Sequence, residues 1–155
     1  MSAFALALLA ILALLLIVAA ATDIRSRIIP NGLNLAVALL ALPWWIAIGL
    51  SGSDILLQIA LSIAMLALFG ACFACGMMGG GDVKLLAALA LWLPFGTMAT
   101  MLAWMAIGGG VLTLAMLAAY RLRKAAARPE IPYGVAIVAA TLLVVANDIL
   151  TGRAA

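Results

Sequence analysis

The chain has 155 residues, of which 70% are hydrophobic and only 8% are charged. Soluble domains are about 45–50% apolar and about 25% charged, so this composition excludes a fold whose whole surface faces water. The formal charge of +3 rests on eight basic residues, which are too few for a nucleic-acid surface. The composition therefore predicts an integral membrane protein with a single domain over residues 1–155.

The types of residue present also limit the chemistry. Histidine is absent, which removes the commonest metal ligand and general base. A zinc or redox role for Cys72 and Cys75 would need further ligands, and none is visible in the sequence, so we interpret the two cysteines as small apolar side chains. The sequence accordingly predicts neither a metal nor a cofactor.

Six apolar segments, bounded by polar clusters and turn residues, are predicted to cross the membrane as helices. The first has no preceding Lys or Arg, so we interpret it as a retained helix and not as a cleaved signal peptide. The predicted fold class is all-α, a polytopic membrane protein with about six transmembrane helices. Their predicted ranges are 3–22, 33–50, 54–75, 83–96, 97–120 and 131–150.

The fourth segment is short for a membrane span. From Asp82 to Gly96 the chain has about 15 residues, which rise about 22 Å as a helix, against a hydrocarbon core of about 30 Å. Irregular backbone at membrane depth is tolerated only where it contacts protein or lines a wet cavity. The glycine-rich entry therefore predicts a recess beside Asp82.

The basic residues predict how the chain is oriented. With six spans, every Lys and Arg except Arg153 falls on one side of the membrane, and the positive-inside rule makes that side cytoplasmic. Asp23 and Asp82 fall on the same side, and both termini are predicted to be external. The basic residues on the cytoplasmic side are Arg25, Arg27, Lys84, Arg121, Arg123, Lys124 and Arg128.

Three acidic residues have structural interpretations. Asp54 follows Ser51-Gly52-Ser53 and is typical of a cap or a first-turn acid of the third helix. Glu130 lies in the basic loop and is predicted to be solvated. Asp148 lies near the external end of the last helix, where the sequence indicates no partner.

Asp23 and Asp82 each have a structural interpretation as well. Asp23 ends the first predicted helix, where Arg25 or Arg27 could pair with it, and Asp82 follows a glycine run that would make it a helix cap. As a pair they gain weight, because ionisable groups near membrane depth are costly. Two adjacent carboxyl groups cannot both ionise cheaply, so one would keep its proton. The ionised one can then activate water while the other polarises a peptide carbonyl, which predicts an aspartyl protease site.

Three segments of the chain resemble motifs of the type IV prepilin peptidases. Residues 23–31, DIRSRIIPN, resemble the segment with the family's first aspartate. Residues 78–85, MGGGDVKL, resemble the Gly-x-Gly-Asp segment with the second, and residues 131–136, IPYGVA, resemble the apolar-Pro-aromatic-Gly segment that opens the last helix. The three occur in the expected order and at the expected helix ends.

This resemblance implies an aspartic endopeptidase that cleaves the basic leader from prepilin or pseudopilin proteins at the cytoplasmic face of the bacterial inner membrane. It implies that Asp23 and Asp82 form the catalytic pair and that the partners are the prepilin and membrane lipid. The chain lacks the large insertion with paired Cys-x-x-Cys motifs found after the first helix of long family members, so an N-methylation domain is not predicted. It is more similar to the compact peptidases of tight-adherence (Flp) pili.

Further residues in these motifs are predicted to form the active-site loop or to bind substrate. The glycines permit positive φ and close backbone approach, and the proline suits the start of the second helix. The asparagine would either cap that helix or bind substrate. The lysine is expected to reach the headgroups and not to pair with Asp82. These residues are Arg25, Pro30, Asn31, Gly79, Gly81 and Lys84.

Two alternatives remain open at this stage. One is another Gly-x-Gly-Asp protease, presenilin-like or signal-peptide-peptidase-like; those enzymes carry a Tyr-Asp segment, whereas Thr22 precedes Asp23 here. The other is a small proton-coupled transporter or channel subunit that uses the acidic pair to carry protons. Proton flux without peptidase activity would favour the second.

Overall fold

The computed structural model describes residues 1–123 and 133–152. All regular secondary structure in these ranges is α-helical, which confirms the all-α part of the predicted fold class. Glu130 and the first two residues of the third motif, 131 and 132, lie outside the described residues, as do Lys124, Arg128 and Arg153. The helices are α1 (Ala3–Ser26), α2 (Asn31–Ala47), α3 (Gly52–Ala74), α4 (Gly80–Leu89), α5 (Phe95–Arg123) and α6 (Tyr133–Leu150).

Among the described residues, four helices, namely α1, α3, α5 and α6, are long and apolar enough to cross a membrane. The α2 helix is apolar but shorter, with 17 residues, and α4 has only 10. Almost all of α3 and of the apolar part of α5 lies on the surface, where Leu56, Val111 and Leu114 are well exposed. Apolar surface of this extent is stable only when lipid covers it. The chain is therefore a helical membrane protein.

Helix α4 is the centre of the bundle although it is the shortest helix. Val83 and the whole run from Leu85 to Leu89 are buried, and α4 packs against α2, α3 and α6. It begins three residues earlier than the predicted segment 83–96 and stops at Leu89, where 3₁₀-type bonds tighten the chain before Pro94. The short fourth segment is thus a buried helix followed by a turn.

Tryptophan side chains fix the far end of α4. The Trp92 indole N–H donates to the Val37 carbonyl at 2.9 Å, and the Trp45 indole N–H donates to the Leu91 carbonyl at 2.7 Å. The Trp44 and Trp92 rings stack with centroids 5.5 Å apart. A buried backbone carbonyl without a donor is costly, so these bonds hold the turn after α4 against α2 and set the depth at which α4 lies.

Acidic residues lie near helix termini at both ends of the bundle. One end gathers the C-terminus of α1 and the first turns of α4 and α6. At the other end a cavity of about 390 Å³ is lined in part by Trp44, Asp54, Trp92 and Asp148. Asp23 and Asp82 therefore lie at the opposite end from Asp54 and Asp148.

Several sequence interpretations are refined by the helix termini. Asp54 is confirmed as a first-turn acid of α3, and its carboxylate accepts a bond from the Ser51 hydroxyl at 2.6 Å. The sequence indicated no partner for Asp148, and the structure supplies one, because the Thr97 hydroxyl donates to its carboxylate at 3.3 Å. Pro30 is the N-cap residue of α2 and not its first helical residue, and no side chain caps that helix, so Asn31 is not a cap.

Candidate active site

Asp23 lies inside the last turn of α1, because this helix continues to Ser26 and does not stop at residue 22 as predicted. Arg27 ends it in the left-handed conformation, with φ of 56°, and donates its N–H to the Asp23 carbonyl at 3.0 Å. The left-handed conformation of Arg27 ends α1 and turns the chain toward α2. The Asp23 side chain is only 5% exposed and points into the bundle, where its Oδ2 accepts a bond from the Val135 N–H at 3.2 Å.

Asp82 is the third residue of α4 and is 8% exposed. The helix is capped by Gly79 without a side-chain bond, so the structural interpretation of Asp82 as the cap residue is wrong. The Oδ1 atom of Asp82 is buried without a hydrogen-bond partner among the described residues. A Cβ at position 79 would lie 2.9 Å from Asp82 Oδ2, so glycine at this position leaves room for the carboxyl group.

Ile29 joins the three helices that form the site. A Cβ at Gly81 would lie 3.0 Å from Ile29 Cβ and 3.1 Å from the Ile29 carbonyl oxygen. A Cβ at Gly134 would lie 3.0 Å from Ile29 Cδ1 and 2.7 Å from Asp23 Oδ2. The first turns of α4 and α6 thus approach the loop between α1 and α2 so closely that only glycine fits at these positions without a shift.

The electrostatic environment of Asp82 differs from that of an ordinary aspartate. Asp82 lies outside the four long helices. Burial is the larger cause and the charge of Asp23 the smaller one that together raise the pKa of Asp82 from 3.8 to about 6. The Gly79 backbone acts in the opposite direction and more weakly. The two carboxyl groups are therefore close enough to influence each other, and Asp82 holds a proton more tightly than an exposed aspartate does.

This shift predicts a dependence of stability on pH. Between the ordinary pKa of 3.8 and about 6, the folded chain keeps the Asp82 proton that the unfolded chain releases. Stability contributed by the protonated form is present below 3.8 and is lost as the pH rises through about 6. We expect the thermal unfolding temperature in detergent to fall more steeply over this window in the wild type than in Asp82→Asn. Parallel curves for the two proteins, with Asp54→Asn as the control, would contradict this expectation.

Lys84 and Asn31 contact each other and not the aspartates. The Lys84 ammonium donates to Asn31 Oδ1 at 2.8 Å, and both residues are exposed. The expectation that Lys84 does not pair with Asp82 agrees with this bond, which links the lysine to the first residue of α2. Arg25 and Pro30 are exposed near the end of α1 and the start of α2.

Sequence reasoning missed Asn34, which lies one turn after Asn31. Asn34 is 5% exposed, and its Nδ2 donates to the Gly81 carbonyl at 3.0 Å, just before Asp82. The sequence signal that could have found it is an asparagine within an apolar helix, since a polar side chain placed there needs a hydrogen-bond partner. Gly134 was part of a quoted motif without being predicted at the site. The backbone N–H of Val135 has no signature in the sequence.

The described helices and this arrangement define a class: a polytopic helical membrane protein with two buried carboxyl groups, from α1 and α4, at one end of the bundle. The model of the type IV leader peptidase family matches residues 10–114, which is more than half of the chain. The chain belongs to the type IV leader peptidase family, as the motifs indicated. The matched range contains Asp23 and Asp82 and ends before α6. No match was found among curated proteins or solved structures.

Proposed function

We propose that this chain is an aspartic endopeptidase that removes the basic leader from prepilin-like proteins at the cytoplasmic face of the bacterial inner membrane. Asp23 and Asp82 activate the water. The observation that carries the proposal is the buried pair itself: Asp23 accepts a backbone N–H bond, whereas Asp82 has an oxygen without a partner. Membership of a peptidase family supports the reaction class.

The chemistry follows from this asymmetry. Asp23 is the ionised group and takes a proton from water as the water oxygen bonds to the scissile carbonyl carbon. Asp82 is the protonated group and donates its hydrogen to the carbonyl oxygen, which gains electron density. The C–N bond then breaks as the leaving nitrogen receives a proton from Asp23. Re-formation of the carbonyl returns the other proton to Asp82.

The depth of the site suits a substrate with a basic leader and an apolar helix. The leader remains at the anionic headgroups of the cytoplasmic leaflet while the helix enters the hydrocarbon. The bond between them then lies at the membrane boundary, at the level of the helix ends that carry Asp23 and Asp82. In this arrangement α1, α3, α5 and α6 span the bilayer, and the shorter α2 and α4 complete six crossings, as one peptidase domain without an N-methylation insertion.

The proposal is tested with the purified chain in liposomes and a prepilin-type peptide that has a basic leader before an apolar helix. We expect one cut between leader and helix. A peptide of the same helix with a neutral leader is the matched substrate control and should be cut more slowly. Equal cleavage of both peptides would favour a general Gly-x-Gly-Asp protease, and proton flux without any cleavage would favour a transporter.

A further inference from the structure

We infer that the first turn of α6 is the positioning element for Asp23: the Val135 N–H holds the carboxylate, and the absence of a side chain at Gly134 gives it room. Asp23 is thereby the member of the pair that carries the negative charge. This inference rests on the proposed peptidase function. It adds a third helix, which lies beyond the matched range of residues 10–114, to the machinery of the site.

The contacts at Gly134 set a narrow limit on what this position can hold. A Cβ there would meet Asp23 Oδ2 at 2.7 Å and Asp23 Cγ at 2.9 Å. Real Cβ atoms do not approach other heavy atoms so closely, and Asp23 is held by its own helix. An alanine at 134 must therefore displace the carboxylate from the Val135 N–H.

The first turn of a helix is suited to hold an anion. Its N–H groups have no partner within the helix, and the helix dipole places positive charge there. The Val135 N–H, in the first turn of α6, donates to Asp23 Oδ2 at 3.2 Å. Bonding of this kind favours the ionised carboxylate. Asp82 also lies in a first turn, that of its own helix α4, where it meets the Gly79 backbone. Its Oδ1 is nevertheless buried without a partner among the described residues, so we assign the proton shared by the pair to Asp82.

Gly134→Ala tests this inference through the kinetics of leader cleavage. Displacing a reacting group by about 1 Å costs about 100-fold in rate, so we expect kcat to fall about 100-fold with little change in KM. The acidic limb of the pH profile of kcat should also move to higher pH, because the displaced carboxylate loses its N–H donor. A purely structural defect would lower the yield of folded protein and leave this limb in place.

Gly109→Ala is the matched control. Gly109 lies on α5 against the same turn of α6, and a Cβ there would meet Tyr133 and Ala136 at 3.8 Å, an ordinary contact distance. This variant should retain the wild-type kcat and pH profile. If Gly134→Ala behaved like Gly109→Ala, the inference would be wrong.

A second comparison distinguishes displacement of the Asp23 carboxylate from altered packing against Ile29. The Cβ of Gly134→Ala would also meet Ile29 Cδ1 at 3.0 Å, and Ile29→Val removes that carbon. Displacement of Asp23 predicts the same loss of kcat when Gly134→Ala is added to Ile29→Val as when it is added to the wild type. Recovery of kcat in the double variant would overturn the inference, since packing would then be the cause.

Val135→Pro serves if Gly134→Ala does not fold. It removes the N–H donor at a first-turn position, where helices tolerate proline, and should give the same shift of the acidic limb. An unshifted limb in Val135→Pro contradicts the inference. If the limb is unshifted but the wild type cleaves the peptide and Asp23→Asn does not, only the inference is wrong and the proposed function still holds. If the wild type does not cleave the peptide, the proposed function is wrong.

Discussion

Asp23→Asn and Asp82→Asn are each expected to lower the rate of leader cleavage by on the order of 10⁴-fold, as loss of one member of a catalytic unit does in other proteases. Asparagine has nearly the shape of aspartate, but it neither accepts the proton of the attacking water nor supplies a proton to the carbonyl oxygen. The two side chains are buried, with 5% and 8% of their surface exposed. Because burial disfavours charge, a neutral amide should be accommodated at either position without unfolding. The rates are measured on purified protein with the basic-leader peptide.

Asp54→Asn is the matched control for these two variants. Asp54 is exposed in the first turn of α3, at the opposite end of the bundle, and bonds to Ser51. It should cleave at the wild-type rate. Cleavage by Asp23→Asn or Asp82→Asn at a rate similar to that of Asp54→Asn, in protein that inserts normally, would exclude the aspartate mechanism.

Gly81→Ala is expected to have the next largest effect. Its Cβ would press on the backbone of Ile29, at 3.1 Å from the carbonyl oxygen and 3.3 Å from the nitrogen. Backbone atoms cannot rotate away as a side chain can, so the first turn of α4 must move and carry Asp82 with it. We expect kcat to fall about 100-fold and the free energy of unfolding to fall by about 1–3 kcal/mol, the usual cost of overpacking.

Gly32→Ala provides the comparison for Gly81→Ala. Gly32 lies in the first turn of α2, close in the chain to Ile29, and a Cβ there meets nothing within 4 Å. It should leave kcat unchanged and should stabilise the helix slightly, since alanine is the better helix former. Equal kinetics for the two alanine variants would mean that the approach of α4 to Ile29 is not needed for cleavage.

The all-α class could be predicted, and Asp23 and Asp82 could be singled out, because their signals are local. A long apolar run needs only its own composition to indicate a membrane helix. The glycines before Asp82 indicated that another segment approaches the backbone closely there. In the structure the segment that approaches Gly81 is the backbone of Ile29. The family's motifs then linked Asp82 to Asp23 across the chain.

The rest depends on contacts that no local pattern contains. Helix α1 runs past Asp23 and ends only at Ser26. It ends there because Arg27 takes a left-handed conformation, which few non-glycine residues adopt. Helix α4 ends at Leu89 and not near 96, and tryptophan bonds to α2 hold the turn that follows. The bond from Val135 to Asp23 uses a backbone N–H, which every residue except proline possesses.

The energetics of the site agree with a functional role. A buried carboxyl oxygen without a donor costs about 1–3 kcal/mol or more, and Asp82 Oδ1 is in that condition among the described residues. Selection for stability alone would favour an apolar side chain at the centre of a lipid-facing bundle. Strained or unsatisfied groups of this kind are typical of sites where a substrate supplies the missing partner.

The most direct test of the central claim is the mass spectrum of the basic-leader peptide after incubation with the purified chain in liposomes. The wild type should give two products whose masses add up to the substrate plus one water, with the new ends at the junction of leader and apolar helix. Asp82→Asn, present in equal amount in the membrane, should give the intact peptide. The same two products from Asp82→Asn at the wild-type rate would contradict the claim that the carboxyl pair performs the hydrolysis.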